Sequence, residues 1–266
     1  MTDRTLTLDV PGLGAVPVRY SRSGSGTPLL LLHGGGGPGT VAPWGGRAAD
    51  ELPADVVVPV HPGFDLTERP DAVDSIRAVA AVHAALLDAL DLTDVTVVGN
   101  SIGGWVAAEL ALLRSPRVGR LALVDSVGIE VEGHPIPDFF AMTPAELAAR
   151  SYADPATYGL DPTTLPEAAR RRMAANRAPL ELYAGHAMSD PGLRARLADV
   201  AVPTLVVWGE ADRIGDVEYG RVLAGAIPAA RFEVIDEAGH LPQIERPEAL
   251  TAAISGFLAD TALAGR

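Results

Sequence analysis

Six short, almost unbroken apolar runs constrain this chain more than any other feature. They are "PLLLLHG" (Pro28–Gly34), "VVVPVHPG" (Val56–Gly63), "VTVVGN" (Val95–Asn100), "RLALVDS" (Arg120–Ser126), "TLVVWGE" (Thr204–Glu210) and "RFEVIDE" (Arg231–Glu237). Each is too short for a core helix and rich in β-formers, so each reads as a strand buried on both faces, the signature of a parallel sheet. Parallel neighbours need crossover connections, and helical patterns supply them. Val73, Ile76, Val79, Val82, Leu86, Leu87 and Leu90 recur at spacings of three and four. "SIGGWVAAELALL" and "PEALTAAISGFLADTAL" read as further amphipathic helices. Ahead of all this, "RTLTLDVPGLGAVPVRYSRSG" alternates around a Pro-Gly turn and predicts an antiparallel pair with one solvated face. The fold class is α/β.

The rhythm breaks once. Between about Val131 and Ala201 there is no buried-strand run, only short helical stretches punctuated by Pro and Gly. The expected organisation is a core formed by residues 1–130 and 202–266, with a helical cap of residues 131–201 inserted in it. The C-terminal "TALAGR" is expected to fray.

Composition excludes several roles. The 266 residues carry a formal charge of −13, which disfavours nucleic acid and anionic membrane as partners. No cysteine is present, so disulfides, thiolate catalysis and Cys-ligated metals are absent. No basic-then-apolar leader opens the sequence and no run is long enough for a membrane span, which leads to the expectation of a soluble, cytoplasmic protein.

The chemistry is concentrated at "GNSIGG", where a β-forming run gives way to a helical pattern at Ser101. A serine on so tight a strand-to-helix turn is forced into strained backbone geometry, and Gly99 and Gly103 remove the Cβ atoms that would clash there. The turn would raise Oγ above the carboxyl end of the sheet, with a helix N-terminus behind it. The competing reading is a helix-capping serine with glycines for close packing.

A serine hydroxyl needs a base, and the base needs a group to orient it. His240, in "DEAGHLPQIERPE", and Asp212, in "VVWGEADRIGD", each follow a predicted strand. Asp125 also ends a strand and competes with Asp212 for the acid role, while Glu210 and Asp216 are weaker rivals. His83 reads as a half-buried structural residue. His134 and His186 fall in the cap, where a solvated position is expected, and His61 precedes Ser101 in the chain. His33 is expected to order the glycine loop it begins.

That loop, "HGGGGPG", lacks the lysine of a phosphate cradle and suits an oxyanion hole. The expected donors are the N–H of Ile102 and that of Gly35 or Gly36.

Taken in order, "LLLLHGGGGPG", "HPGF", "GNSIGG", "WGEADR" and "AGHLPQIERPE" make the chain resemble the α/β-hydrolase superfamily. The resemblance implies a mainly parallel eight-stranded sheet, a helical cap after the sixth strand, a Ser101–Asp212–His240 triad, and no cofactor or metal. Within the superfamily, "HGGGGPG" with "GNSIGG" is similar to the hydrolases that cleave carbon–carbon bonds of ring-fission dienoates. That likeness implies a substrate contact for Asn100 and a carboxylate-binding arginine among Arg170, Arg171, Arg172 and Arg177, Arg177 being the one singled out. The subgroup often has Trp where this chain has Leu241. The leading expectation is a serine esterase acting on a small acyl substrate. Carbon–carbon hydrolysis is the alternative, and a non-catalytic ligand-binding protein the third reading. Oligomeric state is not legible.

Overall fold

The computed structural model describes residues 2–260. The expectation for the last six residues lies outside them. Eight strands form one sheet: β1 (Thr2–Val10), β2 (Gly14–Gly24), β3 (Thr27–Leu32), β4 (Ala54–Pro59), β5 (Val95–Asn100), β6 (Val118–Val124), β7 (Thr204–Gly209) and β8 (Arg231–Ile235). Their order across the sheet is β1-β2-β4-β3-β5-β6-β7-β8. β2 pairs antiparallel with both β1 and β4, and every pairing from β4 to β8 is parallel.

The helices between them are α1 (Ala42–Glu51), α2 (Ile76–Ala89) and α3 (Ile102–Leu112). Between β6 and β7 come α4 (Pro144–Ser151), α5 (Pro155–Tyr158), α6 (Glu167–Ala175), α7 (Arg177–Ala184) and α8 (Leu193–Arg196). The chain closes with α9 (Val217–Gly225), α10 (Pro242–Glu245) and α11 (Pro247–Ala259). Two apolar layers result. One face of the sheet packs against α2, α3 and α9, with Val79, Val82, Val106, Leu110 and Tyr219 in its core. The other packs against α1 and α11 through Trp44, Ala48, Leu250, Ile254 and Phe257.

This order contains a switch point. From β3 the chain crosses to β4 on one side, then returns over it to β5 on the other. The loops leaving β3 and β5 therefore diverge, opening a crevice above their carboxyl ends, where α/β sheets bind ligands. The loop after β3 is the glycine run, and the residue after β5 is Ser101.

Three expectations are corrected. α3 is buried on every side from Ile102 to Ala111, not amphipathic, because the sheet, α2 and the segment after β6 enclose it. Its one acid, Glu109, is met by a bidentate Arg196 at 2.7 Å on both oxygens. β8 is an edge strand and only Ile235 is buried, so its apolar run is not covered on both faces. α2 begins at Ile76, with the Ser75 hydroxyl accepting from Ala78 N–H, which leaves the buried Val73 outside the helix. Among the described residues, no helix is long and apolar enough to cross a membrane.

Candidate active site

Ser101 sits at φ 58°, ψ −122°, a conformation that costs an L-residue about 1–3 kcal/mol. The surroundings hold it there. Its N–H donates to Val124 O at 3.0 Å, and its carbonyl accepts from Gly104 N–H at 2.9 Å. A Cβ at Gly99 would lie 2.2 Å from Gly103 O, and one at Gly103 would lie 2.3 Å from Leu32 O. Both glycines are thus required by close backbone approach. The Ser101 side chain makes no capping hydrogen bond to α3, which removes the helix-cap reading.

Because β5, β6, β7 and β8 are successive neighbours, the residues following them line up along one edge of the crevice. His240 Nδ1 donates to Asp212 Oδ2 at 2.8 Å. The Asp212 side chain is fully shielded, while that of His240 retains 9% exposure toward the crevice. Asp212 Oδ1 accepts from Ile214 N–H at 2.8 Å and Gly215 N–H at 3.4 Å, so the turn after β7 fixes the carboxylate plane. Asp125 Oδ1 accepts from Gly209 N–H at 2.8 Å, and Asp125 does not bond His240. The rival acids are elsewhere. Glu210 is exposed, and Asp216 caps α9 at Tyr219 N–H while pairing with His134 at 2.6 Å.

Asn100 does not face the crevice. Its Nδ2 donates to Val124 O at 3.2 Å and to His240 O at 3.0 Å, and its Oδ1 accepts from Gln243 Nε2 at 3.1 Å. With all three bonds internal, the expectation of a substrate contact is replaced by a tie between the Ser101 turn and the His240 loop. Arg177 is exposed, donates to Phe140 O and lies over the Phe140 ring. Arg172 stands 3.9 Å from Asp65, and Arg170 and Arg171 are not buried.

The glycine loop comes close to the serine. A Cβ at Gly34 would lie 3.0 Å from Ser101 Cβ, while one at Gly35 would meet Leu180 of α7 at 2.8 Å and one at Gly36 would meet Thr40 at 2.7 Å. Ile102 is the first residue of α3, so its N–H has no partner within the helix. Gly35 therefore lies between the serine side of the loop and α7, whereas the Gly36 carbonyl is taken by Asn176 Nδ2 at 3.0 Å.

Beneath the loop lies a chain of three buried histidines. His33 Nδ1 donates to Gly34 O at 2.7 Å, and its Nε2 accepts from His61 N–H at 3.1 Å. His61 Nε2 donates to His33 O at 2.9 Å, so its Nδ1 accepts from His83 Nε2 at 2.7 Å. Burial drives all three well toward the neutral form, His61 down to about 4. His83 is fully buried rather than half-buried, while His186 is exposed, as expected, and pairs with Asp138 and Glu181.

Several residues that complete the site had no local signal. Asn176 joins Gly36 O to Asp65 N–H, at 3.0 and 2.7 Å. Ser151 O accepts from His240 N–H at 2.8 Å. Glu245, buried, accepts from Gly239, Ala153 and Asp154 N–H at 2.6–3.1 Å. Asp125, Asp212 and His240 each bring one potential metal-ligating atom within 4.8 Å of the others. N–H donors already occupy the carboxylate oxygens Asp125 Oδ1 and both of Asp212, which is the pattern of an anion-supporting network rather than of a cation cage.

Comparison with known proteins agrees with this architecture. A 2-hydroxymuconate semialdehyde hydrolase of Pseudomonas putida is 32% identical over 251 residues, covering 89% of either chain. An esterase of Thermogutta terrifontis superposes with a TM-score of 0.78 at 26% identity, covering 96% of this chain and 98% of that one. A meta-cleavage product hydrolase of Pseudomonas fluorescens shares the fold at 23% identity with a TM-score of 0.74, over 95% of this chain and 97% of its own. The family model described as alpha/beta hydrolase fold matches residues 27–247. The chain belongs to the alpha/beta hydrolase fold family.

Proposed function

We propose that the protein is a serine hydrolase of a small ester or related acyl substrate, with Ser101 as nucleophile, His240 as base and Asp212 as its orienting acid. The observation that carries this reading is Ser101 held at φ 58°, ψ −122° at the end of β5, a strained backbone with no structural use for the hydroxyl. Its support is the Asp212–His240 hydrogen bond, which leaves His240 Nε2 as the free proton acceptor.

Ser101 Oγ attacks the substrate carbonyl as its proton passes to His240 Nε2. Asp212 keeps the proton on Nδ1 and stabilises the imidazolium. The N–H of Ile102 and that of Gly35, or Gly36, receive the oxyanion, each donor contributing about 3 kcal/mol to the transition state. His240 then protonates the leaving group, and a water it activates releases the acyl group. Residues 131–201 serve as a cap that shapes the substrate site.

A second reading is favoured by the Pseudomonas putida relative, whose name makes it a hydrolase of 2-hydroxymuconate semialdehyde. The same machinery would then hydrolyse a carbon–carbon bond beside a ketone. Arg177 is exposed and bonded to the Phe140 carbonyl, a position that supports the ester reading over this one.

The test is intact-mass analysis after exposure to a fluorophosphonate, with Ser101→Ala alongside, followed by rates on p-nitrophenyl butyrate and 2-hydroxymuconate semialdehyde. One adduct on the parent and none on the variant is expected, with faster turnover of the ester. Faster turnover of the semialdehyde would select the second reading. A folded parent that takes no adduct and turns over neither compound would point to ligand binding alone.

A further inference from the structure

Asp125 is an acid that the reaction above does not use. It is fully buried at the end of β6, with its Oδ2 shielded and without a partner from any ordinary donor. The groups facing it are Asp212, His240 and Glu245. Two buried carboxylates at this separation do not both ionise, so one carries a proton. The donor count says which. Asp212 receives His240 Nδ1 and the N–H groups of Ile214 and Gly215, and Glu245 receives three backbone N–H groups, whereas Asp125 receives only Gly209 N–H. The site best furnished for an anion keeps the charge.

We propose that Asp125 is a positioning residue for the reaction, held as a neutral carboxylic acid whose Oδ2–H donates to the Asp212 carboxylate while Oδ1 accepts from Gly209 N–H. Burial, with the Asp212 carboxylate beside it, pushes Asp125 well above the usual carboxylate range, in the same direction as the geometry. The bond pins Asp212 and removes a second negative charge from the neighbourhood of the imidazole. His240 is therefore oriented by one anion and not two. Asp125 occupies a left-handed backbone position at φ 45°, which Asp and Asn tolerate better than other side chains with a Cβ.

The inference rests on Ser101–His240–Asp212 being the working site, and two measurements separate its failure from failure of that reading. The first needs no turnover: infrared spectra of the parent and of Asp125→Asn at pH 7. A carboxylic acid C=O band in the parent that is absent from the variant is expected, and a parent spectrum without it overturns the proposal. The second is the pH profile of p-nitrophenyl butyrate hydrolysis for the parent, Asp125→Asn and Asp125→Ala, with folding checked by circular dichroism. The asparagine amide reproduces both bonds of the neutral acid, so Asp125→Asn should keep kcat within about threefold and leave the profile unmoved. Asp125→Ala should lose about tenfold in kcat with KM little changed, the value of one buried hydrogen bond. A shifted acid limb in Asp125→Asn would mean that a charge had been removed, and an Asn variant as slow as the Ala variant would mean that the amide cannot replace the acid; either overturns the proposal.

Discussion

Replacing Ser101 by glycine should make the protein more stable, whereas replacing it by alanine should not. The serine backbone lies at φ 58°, ψ −122°, where any Cβ is strained, and alanine keeps that Cβ. Relief of the strain is worth about 1–3 kcal/mol. Against it stands the greater freedom of glycine in the unfolded chain, about 0.5–1 kcal/mol. The balance is a gain of about 1 kcal/mol for Ser101→Gly over Ser101→Ala, which for a chain of this size raises Tm by about 2–4 °C. Differential scanning calorimetry of the two variants at one pH and scan rate measures it. Both should also fail to take the fluorophosphonate. A glycine variant melting below the alanine variant would refute the strain argument, and with it the claim that packing holds the serine against its backbone preference.

Acid should act through the buried histidines. An unfolded histidine takes a proton near 6.5, while folded His61 resists until about 4, so stability is complete above 6.5 and falls as pH drops between those values. His61 alone accounts for about 3 kcal/mol over that window. His83→Gln keeps a donor for His61 Nδ1 and removes one titrating group, so urea denaturation at pH 7, 6 and 5 should show a shallower loss than in the parent; an equal slope would contradict the assignment. Gly103→Ala should destabilise by about 1–3 kcal/mol, because its Cβ meets the Leu32 carbonyl at 2.3 Å, and a Tm within 1 °C of the parent would count against that clash. Asn176→Leu should release both Gly36 O and Asp65 N–H, lowering kcat on p-nitrophenyl butyrate about tenfold while the protein stays folded; unchanged turnover would detach Asn176 from the glycine loop.

Much of the site was legible because its parts are local. A tight turn states its needs within five residues, and Gly99 to Gly103 does so. Strand ends are marked by where apolar runs stop, which is why Asp212 and His240 could be placed. What could not be read depends on partners far along the chain. In the sequence Asn176 is an ordinary polar residue within one helical stretch, and only its meeting with Gly36 and Asp65 gives it a role. The subgroup resemblance implies a substrate contact for Asn100, yet its bonds run to residues more than 20 positions away. The half-exposed β8 and the wholly buried α3 were misjudged for a related reason. Burial on a second face depends on what lies next in the sheet or above it, and a hydrophobic pattern does not contain its neighbour.

The segment between β6 and β7 holds both sides of the candidate site: Ser151 grips the His240 backbone, and Asn176 grips the glycine loop. It is therefore a poor candidate for transplantation. A chimera that exchanges residues 131–201 for those of a relative would change more than the surface of this segment. It would also shift the backbone carbonyl at Ser151 that receives His240 N–H and remove the Asn176 amide that ties Gly36 to Asp65. Single replacements elsewhere in the segment leave both ties in place, whereas an exchange of whole helices does not.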